Sequence, residues 1–221
     1  MLESTPQQPQ FEPEPTARSQ ESRLWDVLLI LVLLIGAYFR FTGINWGEGQ
    51  FLHPDERFFV WVTADISPVN SLSEYFNTEI SSLNPHNRGH GFYVYGTLPV
   101  FMTRYLANSV MENPSWEDIN LIGRILSASL DLLTVFLVYL IGRRLFNRKI
   151  GVLGAAFSAA AVMQIQQAHF YVSDSFAVAF ATLAVYFAIC LLTEPVQPVD
   201  PENRRRVAQP NTLSYSLWFG L

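Results

Sequence analysis

Apolar residues fall into long blocks separated by polar, turn-forming stretches. The block lengths set the class of the protein. Runs of about 20 apolar residues read as bilayer-crossing helices, because a helix satisfies its own backbone hydrogen bonds in lipid. Leu24 to Phe41 is the first such run, about 27 Å long as a helix and close to the hydrocarbon thickness. The second runs from about Leu121 to Gly142 and carries Arg124 and Asp131 in an otherwise apolar face. The third, Ile150 to about Met163, is short and rich in Ala and Gly, which favours close helix packing. The fourth covers about Phe176 to Leu192, and a fifth starts at Leu213 and is cut off at Leu221. The pattern predicts an all-α fold: a polytopic membrane helical bundle with a long external first loop bearing short interfacial helices.

That loop, from Thr42 to Asn120, is too long for a simple connection and too patterned for a linker. Leu72 to Phe76 suits a short surface helix capped by Ser71 or Ser73, with Tyr75 and Phe76 fitted to a membrane interface. Asn84 to Gly91 is turn-rich. Phe92 to Ala107 is apolar and aromatic but interrupted at Gly96 and Pro99, which predicts a re-entrant or interfacial helix. A full crossing there would need a second one hidden in the loop. No internal repeat is visible.

Charge orients the bundle. Arg18 and Arg23 precede the first run, Arg143, Arg144, Arg148 and Lys149 separate the second from the third, and Arg204 to Arg206 follow the fourth. If each run crosses once, all three clusters share a side, and basic clusters mark the cytoplasmic one. The N-terminus is then cytoplasmic and the first loop external, at a plasma membrane. Residues 1–22 are rich in Pro, Gln and Glu. Such a composition predicts a disordered tail, ahead of a membrane domain from 23 to 221. With no small-residue cleavage site after it, the first run reads as an uncleaved signal anchor. The net charge of -5 gives no sign of nucleic-acid binding. The single Cys190 excludes an intrachain disulfide and reads as a packing residue.

Against this frame the segment His53-Pro54-Asp55-Glu56 stands out, flanked by Phe51, Leu52, Phe58, Phe59 and Trp61. Two adjacent carboxylates in apolar surroundings at a membrane surface suit general-base chemistry on a hydroxyl. The alternative is a solvated turn opened by His53-Pro54. His169 and Asp174 form a second polar group between the third and fourth runs; Asp174 also suits the N-terminal cap of the fourth. Arg40, Arg57, Arg88, Arg104 and Arg124 all fall on the external side, where guanidinium groups either pair with phosphate or snorkel to headgroups. Arg124 and Asp131, two turns apart, suit a buried polar network. A divalent metal held by His169 with Asp55, Glu56 or Asp174 is a weaker option, because the spacing is no metal signature.

Several stretches resemble polyprenyl-phosphate-sugar-dependent glycosyltransferases of the C-type membrane fold, a group that includes protein O-mannosyltransferases and the lipid A aminoarabinose transferase. These are Tyr38-Phe39-Arg40-Phe41, then Leu52-His53-Pro54-Asp55-Glu56-Arg57-Phe58, then Gly123 to Ala128 and Tyr139 to Phe146, and finally the Ala-rich helix before His169 and Asp174. Tyr95-Gly96-Thr97-Leu98-Pro99 lies where many members carry Lys-Pro-Pro, and this chain lacks that Lys. The resemblance implies Asp55 as general base on an acceptor hydroxyl or amine, with Glu56 orienting it. It implies a polyprenyl-phosphate sugar donor, a protein, lipid or glycan acceptor, and arginines near the leaving phosphate. Members of the group are much longer, so the chain reads as an N-terminal portion that is inactive alone. A transporter or flippase of a lipid-linked or anionic substrate, and a catalytically silent membrane scaffold, are the competing readings. The lack of a visible inverted repeat or broken helix counts against the transporter.

Overall fold

The computed structural model describes residues 15–194. The predicted fifth run lies outside them. Eight α-helices and one 3₁₀ turn make up the described residues, without a strand. In chain order they are α1 (Pro15–Phe41), α2 (Pro54–Asp65), α3 (Leu72–Phe76), a 3₁₀ turn (Pro85–Arg88), α4 (Leu98–Val110), α5 (Trp116–Leu145), α6 (Arg148–Ala160), α7 (Val162–Ala168) and α8 (Ser173–Leu192). The all-α helical bundle expected from the hydrophobic pattern is the observed architecture.

Three helices are long and apolar enough to cross a membrane: Arg23–Phe41, Trp116–Leu145 and Ser173–Leu192. The bent pair α6 and α7 makes a fourth if it counts as one span. The long helix α5 is the axis, and it packs against α1, α2, α4, α6, α7 and α8. A capping box starts it, with Ser115 and Asp118 exchanging side-chain and backbone hydrogen bonds. Glycine lets α6 approach: a Cβ on Gly142 would lie 2.8 Å from the Gly151 Cα. This is the close packing that the small residues of the third run predict. A core of Val135, Tyr139, Val152, Ala155 and Ala159 fills that contact.

The structure departs from the pattern in two places. Helix α1 starts at Pro15, inside the stretch expected to be disordered. Proline suits a first helical turn, and the Ala, Arg, Gln and Glu residues that follow are good helix formers. The third run is not one helix. It breaks at Ala161, and α6 and α7 meet at 61°. No Pro or Gly stands at the break. Instead the Arg40 guanidinium donates to the carbonyls of Ser158 and Ala159 at the end of α6. A side chain inserted into the helical ladder is a recognised cause of a kink. The expectation that no helix is broken is therefore overturned by an arginine 118 residues away in sequence.

Ion pairs and hydrogen bonds show which helix ends meet. Arg148 pairs with Asp26, and Arg144 with Glu194, so the start of α1, the α5–α6 junction and the end of α8 share one end. At the opposite end, Arg124 near the start of α5 bonds to Ile44 and Trp46 just after α1. The His169 ring there reaches the Thr42 carbonyl. The helices thus alternate in direction as single crossings require. In the first loop, α3 forms where expected, with Ser71 capping it through the Glu74 amide. Helix α4, at 13 residues, is not among the candidate spans. It lies along α2 and α5 and buries Pro99, Val100, Thr103 and Ala107.

Candidate functional site

The acidic pair opens α2. His53 caps the helix, its ring nitrogen accepting from the Glu56 amide at 3.4 Å, and Pro54 takes the first helical position. From there the two carboxylates part. Asp55 is exposed, and it has no hydrogen bond or ion pair among the described residues. It sits in the first turn of α2, where negative charge is favoured. Glu56, one residue on, is fully buried. It belongs to the face Glu56, Phe59, Val60 and Thr63, all buried and spaced at the helical period.

Burial of Glu56 is made tolerable by complete pairing. Arg124 Nε donates to Oε1 and Nη2 to Oε2, each at 2.7 Å, a bidentate fork. The Tyr171 amide adds a third bond to Oε1 at 2.8 Å. Arg124 also donates from Nη1 to the carbonyls of Ile44 and Trp46, and its guanidinium lies 4.8 Å from the Trp46 ring centroid. This one buried pair therefore joins α2, α5, the segment after α1 and the turn between α7 and α8.

Tyr171 completes the joint. Its hydroxyl is 2.9 Å from Thr63 Oγ1 and donates to the Pro99 carbonyl. Burial pushes this phenol well above the ordinary tyrosine range. Its ring rests on Gly123, where a Cβ would come within 2.2 Å of Tyr171 Cγ. Phe170 packs between His53, with ring centroids 4.5 Å apart, and Trp46, at 5.3 Å. The Trp46 indole N–H donates to the His169 carbonyl.

The other sequence candidates fall into distinct settings. Arg40 is buried among helices: it pairs with Asp131 and bonds to carbonyls of Gly36, Ser158 and Ala159. Arg124 and Asp131 thus do not share a network, and each takes a partner from another helix. Arg57 is exposed, with no partner among the described residues. Arg88 is also on the surface, tying Ser67 to Ser82. Arg104 donates to the carbonyls of Thr63 and Ala64 at the end of α2, where a cation is favoured. Burial pulls its guanidinium below the usual value, and nearby Asp65 opposes the shift. His169 directs both ring nitrogens at carbonyl oxygens, Ile165 at 2.7 Å and Thr42 at 3.0 Å. Asp174 accepts from Gln167 at 3.3 Å. With Glu56 engaged by Arg124 and His169 by carbonyls, these residues do not assemble a ligand set. Among the described residues no group of three or more His, Cys, Asp or Glu side chains is placed to hold a metal.

Residues 102–196 match the model of the dolichyl-phosphate-mannose-protein mannosyltransferase family. The chain is similar to membrane glycosyltransferases over that segment, which holds most of α4 and all of α5 to α8. Arg104, Arg124, His169 and Asp174 fall within it, whereas Arg40, Asp55, Glu56, Arg57 and Arg88 precede it. No curated protein and no solved structure matches the chain.

Two participants escape a reading of the sequence alone. Tyr171 and Trp46 look like interfacial aromatics, yet both are joints of the Glu56–Arg124 centre. The helical face shared by Glu56 with Phe59, Val60 and Thr63 is the signal that separates it from Asp55.

Proposed function

We propose that this chain carries the acceptor-activating part of a membrane glycosyltransferase using a polyprenyl-phosphate-linked sugar, with Asp55 as the general base. The observation that carries this reading is the split fate of the acidic pair. Asp55 is exposed and unpaired, on a helix end fixed by the buried Glu56–Arg124 fork. The Asp55 carboxylate takes the proton of an acceptor hydroxyl as its oxygen bonds to the anomeric carbon. The bond from that carbon to the lipid phosphate breaks, and the phosphate leaves with the electron pair. Positive charge near the phosphate lowers the barrier. Arg57 and Arg88, both exposed, are the cations with most freedom to approach it. Glu56 and Arg124 act as positioning residues. The family match supports a lipid-phosphate sugar donor and a protein acceptor. The basic clusters support a cytoplasmic N-terminus, with Asp55 on the far side of a cell membrane.

The test is Asp55→Asn in the complete protein, assayed for sugar transfer with membrane insertion verified. A loss of about 10²–10⁴-fold is expected for a general base. Unchanged transfer removes Asp55 from the role.

The break between α6 and α7 favours a second reading, movement of a lipid-linked substrate across the bilayer, because interrupted helices line transport sites. Translocation of a labelled lipid-linked sugar in sealed vesicles without transfer to any acceptor selects that reading.

A further inference from the structure

A cavity of about 380 Å³ opens among α5, α7 and α8, within the usual size of small-molecule sites. Asp131, Gln164, Gln167, Asp174, Ser175 and Val178 line it. Two of these are buried polar groups with bonding capacity left over. Ser175 is 4% exposed, and its hydroxyl has no hydrogen-bond partner. Asp131 is 5% exposed; Oδ2 receives Arg40 Nε, while Oδ1 has no partner among the described residues. A buried hydroxyl without a partner is unusual in a folded protein and calls for an explanation.

The remaining polar groups interleave donors and acceptors. Gln164 Oε1 accepts from the Ser158 hydroxyl, which leaves its NH₂ to donate. Gln167 spends its NH₂ on Asp174 and keeps its carbonyl oxygen. Asp174 keeps Oδ1, and Ser175 both donates and accepts. No basic side chain lines the cavity, so two carboxylates oppose an anion such as phosphate. A cation gains little from Asp131, whose charge is already met by Arg40. Ring hydroxyls, each a donor and an acceptor, suit such a lining, and Val178 offers an apolar wall for ring C–H groups.

We propose that this cavity binds a neutral sugar ring, the glycosyl group of a substrate; the occupant's identity rests on the glycosyltransferase reading, while the cavity's preference for a neutral polyol rests on its lining. The Ser175 hydroxyl bonds a ring hydroxyl, with Gln164 and Asp131 as its neighbours. Arg40 positions Asp131 and does not touch the sugar.

The experiment uses the complete protein in lipid nanodiscs and an alkyl mannoside carrying a diazirine next to the sugar. Labelled peptides are mapped by mass spectrometry, with unlabelled alkyl mannoside, alkyl phosphate and alkylammonium of equal chain length as competitors. Label is expected on residues 162–178, competed by the mannoside and reduced about tenfold in Ser175→Val, the size of one lost hydrogen bond to a buried partner. Ser175→Thr, which restores a hydroxyl, is expected to recover it. Label absent from that stretch, unchanged in Ser175→Val, or competed best by the phosphate or the ammonium compound overturns the proposal. Asp55→Asn is expected to leave labelling intact. If labelling fails while Asp55→Asn abolishes transfer, the cavity proposal alone falls. If labelling holds while Asp55→Asn transfers normally, the catalytic assignment alone falls.

Discussion

The two ends of the bundle use ionic side chains in opposite ways. At the arginine-rich end, Arg144 meets Glu194 and Arg148 meets Asp26, each at 3.1 Å with about a third of the arginine exposed. At the other end Arg124 and Glu56 are 1% and 0% exposed, and every carboxylate oxygen is bonded. The first arrangement distributes charge at a surface. The second builds a joint, because a buried carboxylate without its guanidinium costs far more than an exposed one. Asp55 rides on that joint, so the reactive group and the supporting group are neighbours in sequence and opposites in environment.

The largest predicted effect tests the joint directly. Glu56→Gln keeps size and hydrogen-bonding capacity but leaves Arg124 buried without a counter-charge. Loss of about 3–5 kcal/mol of stability is expected, the range for breaking a buried pair from one side. Thermal unfolding in detergent measures it. Asp55→Asn, one residue away, is expected to stay within about 0.5 kcal/mol, as surface substitutions do. If the two variants melt alike, the contrast between the carboxylates collapses.

Gly123→Ala sharpens the same comparison without touching a charge. The added Cβ meets the buried Tyr171 ring at 2.2 Å, and that ring is held by Thr63 and Pro99. Alanine has the better helix propensity, so a net gain in stability would mean that the ring is free to move. Overpacking is expected to win, at about 1–3 kcal/mol. Because Tyr171 also donates its amide to Glu56, Gly123→Ala and Glu56→Gln are expected to be non-additive in a double-mutant cycle.

Much of this architecture is legible in the chain. Apolar run length marks α1, α5 and α8, since lipid demands a helix of that span. Ser71 announces α3, and the basic clusters sort the ends. The partners of the buried charges are not legible. Glu56 finds Arg124 across 68 residues and Arg40 finds Asp131 across 91, and no local period encodes such a meeting. The kink between α6 and α7 fails for the same reason: its cause, Arg40, lies on another helix. What local pattern does hold is the face of α2. Glu56, Phe59, Val60 and Thr63 repeat at helical spacing, and Asp55 falls off that face.

A milder effect belongs to the first loop and acid pH. Glu74 accepts from the Asn70 amide at 2.9 Å and from the Ser82 hydroxyl at 2.8 Å. These bonds, the Asn70 amide first, hold its carboxyl below the ordinary 4.5. A depressed carboxyl stabilises the loop fully above pH 4.5 and loses that contribution as pH falls through the folded value. Faster amide exchange at Asn70 and Ser82 on acidification is expected, with the Glu56 joint unaffected. Exchange that is flat with pH would detach Glu74 from the loop's order.

The smallest effect is expected where the first comparison began. Arg144→Gln removes one partner of an exposed pair with Glu194 and a bond to the Thr193 hydroxyl. Solvent screens such pairs, and their contribution is about 0–1 kcal/mol. Glutamine retains a donor for Thr193, so a shift in the unfolding midpoint near the lower limit is expected. Raising the salt concentration in the unfolding assay separates the two ends further. Screening weakens exposed pairs within a Debye length of about 10 Å at 0.1 M, while a buried pair is largely shielded from it. The Arg144→Gln difference is therefore expected to shrink toward zero in high salt and the Glu56→Gln difference to persist. A large, salt-resistant loss in Arg144→Gln would make the arginine-rich end a second joint rather than a charged surface.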